Sequence, residues 1–148
     1  MTLKAKITDD MKAAMRAKEA ARLSTIRLLL AAIKQKEVDE RVEVSDAEVV
    51  AIIDKMIKQR RESIAQFDAG GRSDLSSAEQ AEIVVLQQYM PERLSDAEID
   101  RRIDAAIARA GVSGPAAMGK VMGALKSELA GRADMTQVAA RVKARLAG

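Results

Sequence analysis

The residues of this chain that come nearest to a nucleophilic site are Ser76 and Ser77, which follow the glycine pair Gly70-Gly71. A serine becomes a nucleophile only when a base takes its proton, and no lysine lies nearby in the sequence. Ser76 also stands where a helix could start, and its hydroxyl can accept a hydrogen bond from a free helix amide. The segment therefore predicts a helix cap, and we expect no catalytic residue in the chain.

The composition excludes several further kinds of chemistry. The 148 residues include no Cys, no His and no Trp, with one Tyr and one Phe. These omissions remove the common zinc ligands, the thiolate nucleophiles and the serine–histidine relays, and they leave few rings on which bases could stack. Acidic clusters such as residues 37–43 alternate with basic residues and predict solvated helix ends. We therefore expect no metal, no cofactor and a role in binding.

A basic stripe on one predicted helix could contact phosphates. Lys55, Lys58 and Arg61 follow one another at steps of three residues, so they share one side of a helix. Asp54 and Glu62 each stand four residues from Lys58, which is the spacing of a salt bridge on a helix surface. The stripe predicts either a phosphate contact or an ordinary charged surface, and the sequence favours the second.

The best candidate for a binding site is the predicted helix from about residue 115 to 129. Gly119 and Gly123 share one face of it, although glycine inside a helix costs about 1 kcal/mol relative to alanine. Such a notch predicts close approach, either by a neighbouring helix, which is slightly favoured, or by a nucleic-acid backbone. In the second case nearby cations would contact phosphates, and the candidates are Lys120, Lys126, Arg132, Arg141 and Lys143.

The positive charge of the chain is unevenly distributed. Residues 1–94 carry 16 basic and 16 acidic side chains, whereas residues 95–148 carry nine basic and six acidic ones. The net charge of +3 therefore comes from the C-terminal third. A basic bias of this size is compatible with nucleic-acid binding.

The pattern of residues predicts an all-α protein, because strong helix formers dominate and β-branched runs are short. The second predicted helix places four apolar residues inward at steps of three or four: Leu23, Ile26, Leu30 and Ile33. Ser45 and Ser95, each followed three residues later by a glutamate, predict helix starts. With a break near Pro91, we expect a four-helix N-terminal domain, residues 1–91, and a small three-helix C-terminal domain, residues 95–148.

Nothing in the sequence predicts contact with a membrane. The most apolar stretch, residues 28–33, is too short to cross a bilayer and lies between Arg27 and Lys34. The first residues lack the apolar run of a signal peptide. These features predict a cytoplasmic protein.

Five segments resemble the YqeY family, and they occur in the same order along the chain. They are Lys-Gln-Arg-Arg-Glu-Ser-Ile at 58–64, Gly-Arg-Ser-Asp-Leu at 71–75, Leu-Gln-Gln-Tyr-Met-Pro at 86–91, Met-Gly-Lys-Val-Met-Gly at 118–123 and Gly-Arg-Ala-Asp at 131–134. The resemblance implies a relationship to the tail of the B subunit of the tRNA-dependent glutamyl/aspartyl amidotransferase. In that enzyme the tail helps to hold the tRNA, whereas the glutaminase and kinase sites lie elsewhere.

The resemblance leaves three hypotheses for the function. The leading one is a tRNA-binding accessory module without a catalytic centre of its own. The second is a helical protein-interaction module that docks on a translation or amidotransferase enzyme. The third is a component of a carbon–nitrogen ligase that uses glutamine as amide donor, with catalysis supplied by a partner.

Overall fold

The computed structural model describes residues 1–111, 114–129 and 131–147, and across these residues the chain forms seven α-helices and no strand. A short 3-10 turn, Pro115–Ala117, directly precedes the sixth helix. The helices are α1 (Leu3–Arg16), α2 (Ala20–Glu40), α3 (Asp46–Ala69), α4 (Ser73–Gln87), α5 (Asp96–Ala110), α6 (Met118–Leu129) and α7 (Met135–Ala147). The prediction of an all-α fold is confirmed.

Two serines begin helices as their sequence context predicts. Ser45 Oγ accepts a hydrogen bond from the amide of Glu48 at 3.2 Å, and the Glu48 carboxylate accepts one from the Ser45 amide at 3.3 Å. This reciprocal pair is the capping box at the start of α3. Ser95 Oγ accepts from the amide of Glu98 at 3.2 Å at the start of α5. Each bond satisfies an amide that a helix start leaves free.

Helix α4 begins three residues earlier than the predicted cap at Ser76. Helix α3 ends at Ala69, and Gly71 then adopts a left-handed φ of 71°, which lets the chain turn at once. The amides of Leu75 and Ser76 both donate to the carbonyl of Arg72 at 3.1 Å and form the first turn of α4. Ser76 therefore lies inside the helix, and its prediction as a cap is wrong.

The chain divides into two compact units, Met1–Met90 and Pro91–Gly148, which we call the N-terminal and the C-terminal unit. In the N-terminal unit, α1 to α4 enclose one apolar core, and its fully buried side chains include Ile7, Ile26, Leu29, Ile33, Ile53, Ile83 and Leu86. On α2, Leu29 is fully buried, whereas the predicted inward residues Leu23 and Leu30 are only partly buried.

In the C-terminal unit, α5, α6 and α7 enclose a second core. Its fully buried side chains include Ile103, Val121, Leu125, Leu129 and Val142. Independent folding of a four-helix and a three-helix domain, with the bounds 1–91 and 95–148, stays a prediction. Within the described residues, no helix combines the length and the apolar character that are needed to cross a bilayer.

Candidate nucleic-acid interface

Gly119 and Gly123 lie on the exposed face of α6. The helix turns Val121, Leu125 and Leu129 into the core, where all three are fully buried, so the opposite side of the helix faces outward. A Cβ atom added at either glycine would have no neighbour from other parts of the described chain within 4 Å. No neighbouring helix in that part of the chain packs against the glycines, and the helix-packing interpretation is wrong there.

Lys126 and Lys143 are exposed, and neither forms a salt bridge within residues 1–111, 114–129 and 131–147. Five of the nine basic side chains in residues 95–148 do form such bridges, and all five are arginines: Arg101, Arg102, Arg109, Arg141 and Arg145. An ammonium group without a carboxylate partner can bind a phosphate without first breaking an ion pair. The two lysines are therefore the most available cations of the predicted site.

Lys120 and Arg132 bind carbonyl oxygens. Lys120 Nζ donates to the carbonyl of Ala110, the last residue of α5, at 2.9 Å, where helix carbonyls lack amide partners. Arg132 Nε donates to the carbonyl of Glu92 at 3.2 Å, and the Arg132 carbonyl accepts from the amide of Leu94 at 2.9 Å. Both side chains thus stabilise the C-terminal unit, and both keep further N–H donors. Their role in binding stays a prediction.

Arg141 belongs to a row of salt bridges between α5 and α7. Its guanidinium lies 2.8 Å from Asp100 and 3.4 Å from Asp96, and Arg145 continues the row to Asp104 at 2.6 Å. The hydrogen bond from Arg141 lowers the pKa of Asp100, and the Asp100 carboxylate raises the pKa of Arg141 in return. A phosphate would have to compete with two carboxylates for Arg141.

The spacing of charged residues in the sequence is a signal for this row. Asp96, Asp100 and Asp104 recur every four residues on α5, and Arg141 and Arg145 have the same spacing on α7. This spacing places each set on one side of its helix, so two neighbouring helices can pair them in register.

The predicted basic stripe on α3 is partly neutralised. Lys58 Nζ lies 3.3 Å from a carboxylate oxygen of Asp54, so this predicted salt bridge is confirmed. Lys55 and Arg61 are exposed, and neither forms a salt bridge within the described part of the chain. Phosphate binding by the stripe stays a prediction.

Tyr89 belongs to a partly buried polar cluster of the N-terminal unit that the sequence did not indicate. Its hydroxyl donates to Asp10 Oδ2 at 2.6 Å, and the Arg22 guanidinium lies 3.9 Å from the same oxygen. Burial raises the pKa of Tyr89 to about 12, and the hydrogen bond to Asp10 contributes to the increase. Tyr89 and Asp10 are 79 positions apart, so no local spacing could have predicted their contact. The neutral phenol serves as a structural hydrogen-bond donor.

Within the described residues, the chain is an all-α protein whose C-terminal unit exposes two glycines and two lysines on one helix, α6. No three carboxylates within those residues are grouped so that they could hold a metal ion. The chain belongs to the YqeY family, because the family described as "Yqey-like protein" matches residues 4–146. The resemblance seen in the sequence is therefore confirmed.

Three similar proteins share the name "Altered inheritance of mitochondria protein 41, mitochondrial". The Eremothecium gossypii protein is 45% identical over 87 residues, which are 58% of this chain and 48% of that protein. The Lachancea thermotolerans protein is 39% identical over 104 residues, 67% and 54% of the two chains. The Pyrenophora tritici-repentis protein is 35% identical over 126 residues, 84% and 69%. The chain spans about half the length of the first two relatives.

The prediction of a cytoplasmic protein is contradicted by these relatives, whose names describe them as mitochondrial. The physical reason for the error is that a charged, helical surface is compatible with any aqueous compartment. Composition therefore could not distinguish one such compartment from another.

Proposed function

We propose that this protein is a tRNA-binding accessory module and that the exposed face of α6 contacts the RNA backbone. The observation that carries the proposal is the open glycine pair, Gly119 and Gly123, with the exposed Lys126 one helical turn beyond Gly123. Glycines leave room for a backbone to approach closely, and the lysine supplies the charge that a phosphate requires. The resemblance to the amidotransferase tail supports tRNA as the nucleic acid.

The surface of the C-terminal unit suits a phosphate backbone better than an apolar partner. None of its described residues is a strongly exposed large apolar side chain, whereas the N-terminal unit has seven. The exposed residues of α6 are small or cationic: Gly119, Lys120, Gly123, Ala124, Lys126 and Ser127. Such a face offers little apolar area to bury against another protein.

The mode of binding follows from the absence of aromatic residues after Tyr89. Phe67 and Tyr89 both belong to the N-terminal unit, so the C-terminal unit has no ring on which a base could stack. Lysine contacts to phosphates position a protein but do not read bases. We therefore expect binding that is similar among tRNA sequences and strongly dependent on salt.

The contacts within the C-terminal unit rank the candidate cations. Lys126 and Lys143 form no salt bridge in the described part of the chain and should contribute most. Lys120 and Arg132 can contribute through the donors that their carbonyl partners leave free. Arg141 should contribute least, since it would have to leave two carboxylates.

Binding of purified bulk tRNA to the full chain, measured from about 50 to about 200 mM salt, tests the proposal. Lys126→Ala and Lys143→Ala should each weaken binding and lower the slope of log K against log salt by about one unit. Arg141→Ala is the matched control, because it also removes one positive charge but should change binding less than either lysine variant.

Gly123→Leu tests whether close approach matters in addition to charge. Leucine would block the notch without altering any charge, so binding should weaken while the salt slope stays nearly constant. A folded wild-type protein that binds no tRNA at about 50 mM salt would overturn the proposal. Binding that neither Lys126→Ala nor Gly123→Leu changes would remove the α6 face from the proposal.

A further inference from the structure

Helix α2 is apolar on two faces, and the described residues cover only one of them. Its inner face places Ile26, Leu29 and Ile33 in the core of the N-terminal unit. Its outer face carries a row of exposed residues at alternating steps of three and four, which we call the α2 stripe: Ala21, Ser24, Leu28, Ala31, Gln35 and Val38. Leu28 is 46% exposed and Val38 is 59% exposed. The spacing is that of the contact seam between two helices of a coiled coil.

The α2 stripe is long enough for a partner helix to bind, and grooves lie beside it. Its 18 residues extend over about 26 Å at the rise of an α-helix. A depression of about 370 Å³ adjoins its N-terminal half and is lined by Leu23 and Leu28, among others. A groove of about 640 Å³ between α2 and α3 adjoins its C-terminal half, and Ala32, Ile52 and Met56 contribute apolar lining. An amphipathic helix binds by placing its apolar face in such a groove.

Cations flank the α2 stripe. Arg27 and Lys34 lie seven residues apart along one flank, and Lys55 lines the groove from α3. All three are exposed, and none forms a salt bridge within the described part of the chain. The acidic groups that line the groove already have partners.

Those two acidic groups are Asp39 and Glu40. Asp39 accepts a hydrogen bond from the Gln35 amide at 2.8 Å, and a Glu40 oxygen lies 3.7 Å from Lys36 Nζ. The Gln35 amide is neutral, so Asp39 keeps its negative charge, but the cations Arg27, Lys34 and Lys55 outnumber it and the charge offered to a partner is positive on balance.

We propose that the α2 stripe docks an amphipathic helix of a partner protein whose apolar seam is bordered by acidic residues. Two acidic residues seven positions apart on the partner helix would face Arg27 and Lys34, which have the same spacing on α2. This inference concerns the N-terminal unit and does not depend on tRNA binding by the C-terminal unit.

A second copy of this chain fits the α2 stripe less well than an acidic helix does. In an antiparallel pair of α2 helices, Arg27 and Lys34 would face the same two cations of the other copy, and like charges repel. In a parallel pair, Lys34 would face Asp39 of the other copy, but Arg27 would face Ala32, so only one of the two cations would gain a carboxylate. Charge complementarity therefore favours the acidic partner.

Two synthetic helical peptides test the docking directly. Both carry leucine at the seam positions, and they differ only in having glutamate or lysine at the positions beside the seam. The full chain is titrated into each dye-labelled peptide, and fluorescence anisotropy gives the Kd. We expect the glutamate peptide to bind at least about tenfold more tightly than the lysine peptide, and the double variant Arg27→Glu/Lys34→Glu to reverse this preference.

Substitutions in the α2 stripe should weaken binding without unfolding the protein. Leu28→Asp and Ala31→Glu change exposed residues, and each should weaken binding of the glutamate peptide about tenfold. Val84→Asp on α4 is the matched control, since Val84 is 52% exposed, and it should leave binding unchanged. Circular dichroism checks the helices of each variant, and Ala31→Glu remains informative if Leu28→Asp does not fold.

Three results would overturn this inference. The first is equal binding of the two peptides, and the second is equal weakening by Val84→Asp and the stripe variants. The third is a dimer of the free chain in sedimentation equilibrium that Leu28→Asp abolishes, because the stripe would then be occupied by a second copy.

Discussion

Replacing Gly119 or Gly123 by alanine should stabilise the C-terminal unit. Both positions lie within α6, and an added Cβ would meet no other described part of the chain within 4 Å, so alanine fits there without strain. Alanine is favoured over glycine inside a helix by about 1 kcal/mol. Each substitution should therefore raise the free energy of unfolding of this unit by about 1 kcal/mol. A glycine face packed against a neighbouring helix would give the opposite sign, with overpacking costs of about 1–3 kcal/mol.

Native-state hydrogen exchange of α6 amides measures this change in the full chain. Tyrosine fluorescence would not, because Tyr89 belongs to the N-terminal unit. The amides of Val121 and Leu125 are suitable reporters, since both residues are fully buried on α6. A gain of about 1 kcal/mol should slow their exchange about fivefold if it proceeds through unfolding of the unit.

Gly111→Ala is the matched control for the two substitutions on α6. The space around its missing Cβ is open as well, but its φ is +67°. Alanine must then adopt the left-handed conformation, at a cost of about 1–2 kcal/mol, so exchange should become faster. The reasoning is refuted if Gly123→Ala accelerates exchange in α6, because something would then occupy the glycine face.

Two further predictions concern polar side chains. Tyr89→Phe removes the hydrogen bond to Asp10 and should lower the free energy of unfolding by about 1–3 kcal/mol in urea denaturation followed by circular dichroism. In the wild-type protein, Tyr89 should ionise near pH 12, and ionisation near pH 10.0 would contradict this prediction. The stability that the raised pKa of Tyr89 contributes is fully present below pH 10.0 and is lost as the pH rises towards 12. The lowered pKa of Asp100 contributes stability above its ordinary value of 3.8, which is lost as the pH falls below that value. Arg141→Gln should raise the pKa of Asp100 in an NMR titration, and an unchanged pKa would exclude Arg141 as the cause.

Local signals predicted the helices better than they predicted how the chain turns between them. The Ser45 and Ser95 patterns predicted the helix starts correctly because a serine cap and its amide donor lie within four consecutive residues. The predicted start of α4 was wrong because Gly71 reverses the chain directly after α3, which allows the helix to begin before Ser76. On α2, apolar residues surround much of the helix, so periodicity could not decide between Leu29 and Leu30 as the buried one.

The candidate site was predicted only in part for a similar reason. Periodicity placed Gly119 and Gly123 on one face, but a buried notch and an open notch have the same spacing. The partners of Lys120 and Arg132 are carbonyl oxygens ten and 40 positions away. Every residue has a backbone carbonyl, so the sequence cannot show which one a side chain binds. Only the structure could therefore separate the available lysines from the cations that stabilise the fold.

The two proposed surfaces differ in a way that salt can distinguish. Among the described residues, all seven strongly exposed large apolar side chains belong to the N-terminal unit, whereas the excess basic charge belongs to residues 95–148. Phosphate binding releases counterions and weakens steeply as salt rises, but burial of an apolar seam does not weaken in this way. In a sample that contains tRNA and the glutamate peptide, rising salt should therefore release the tRNA while most of the peptide stays bound. Release of both at the same salt concentration would mean that the α2 stripe binds the peptide through charge alone.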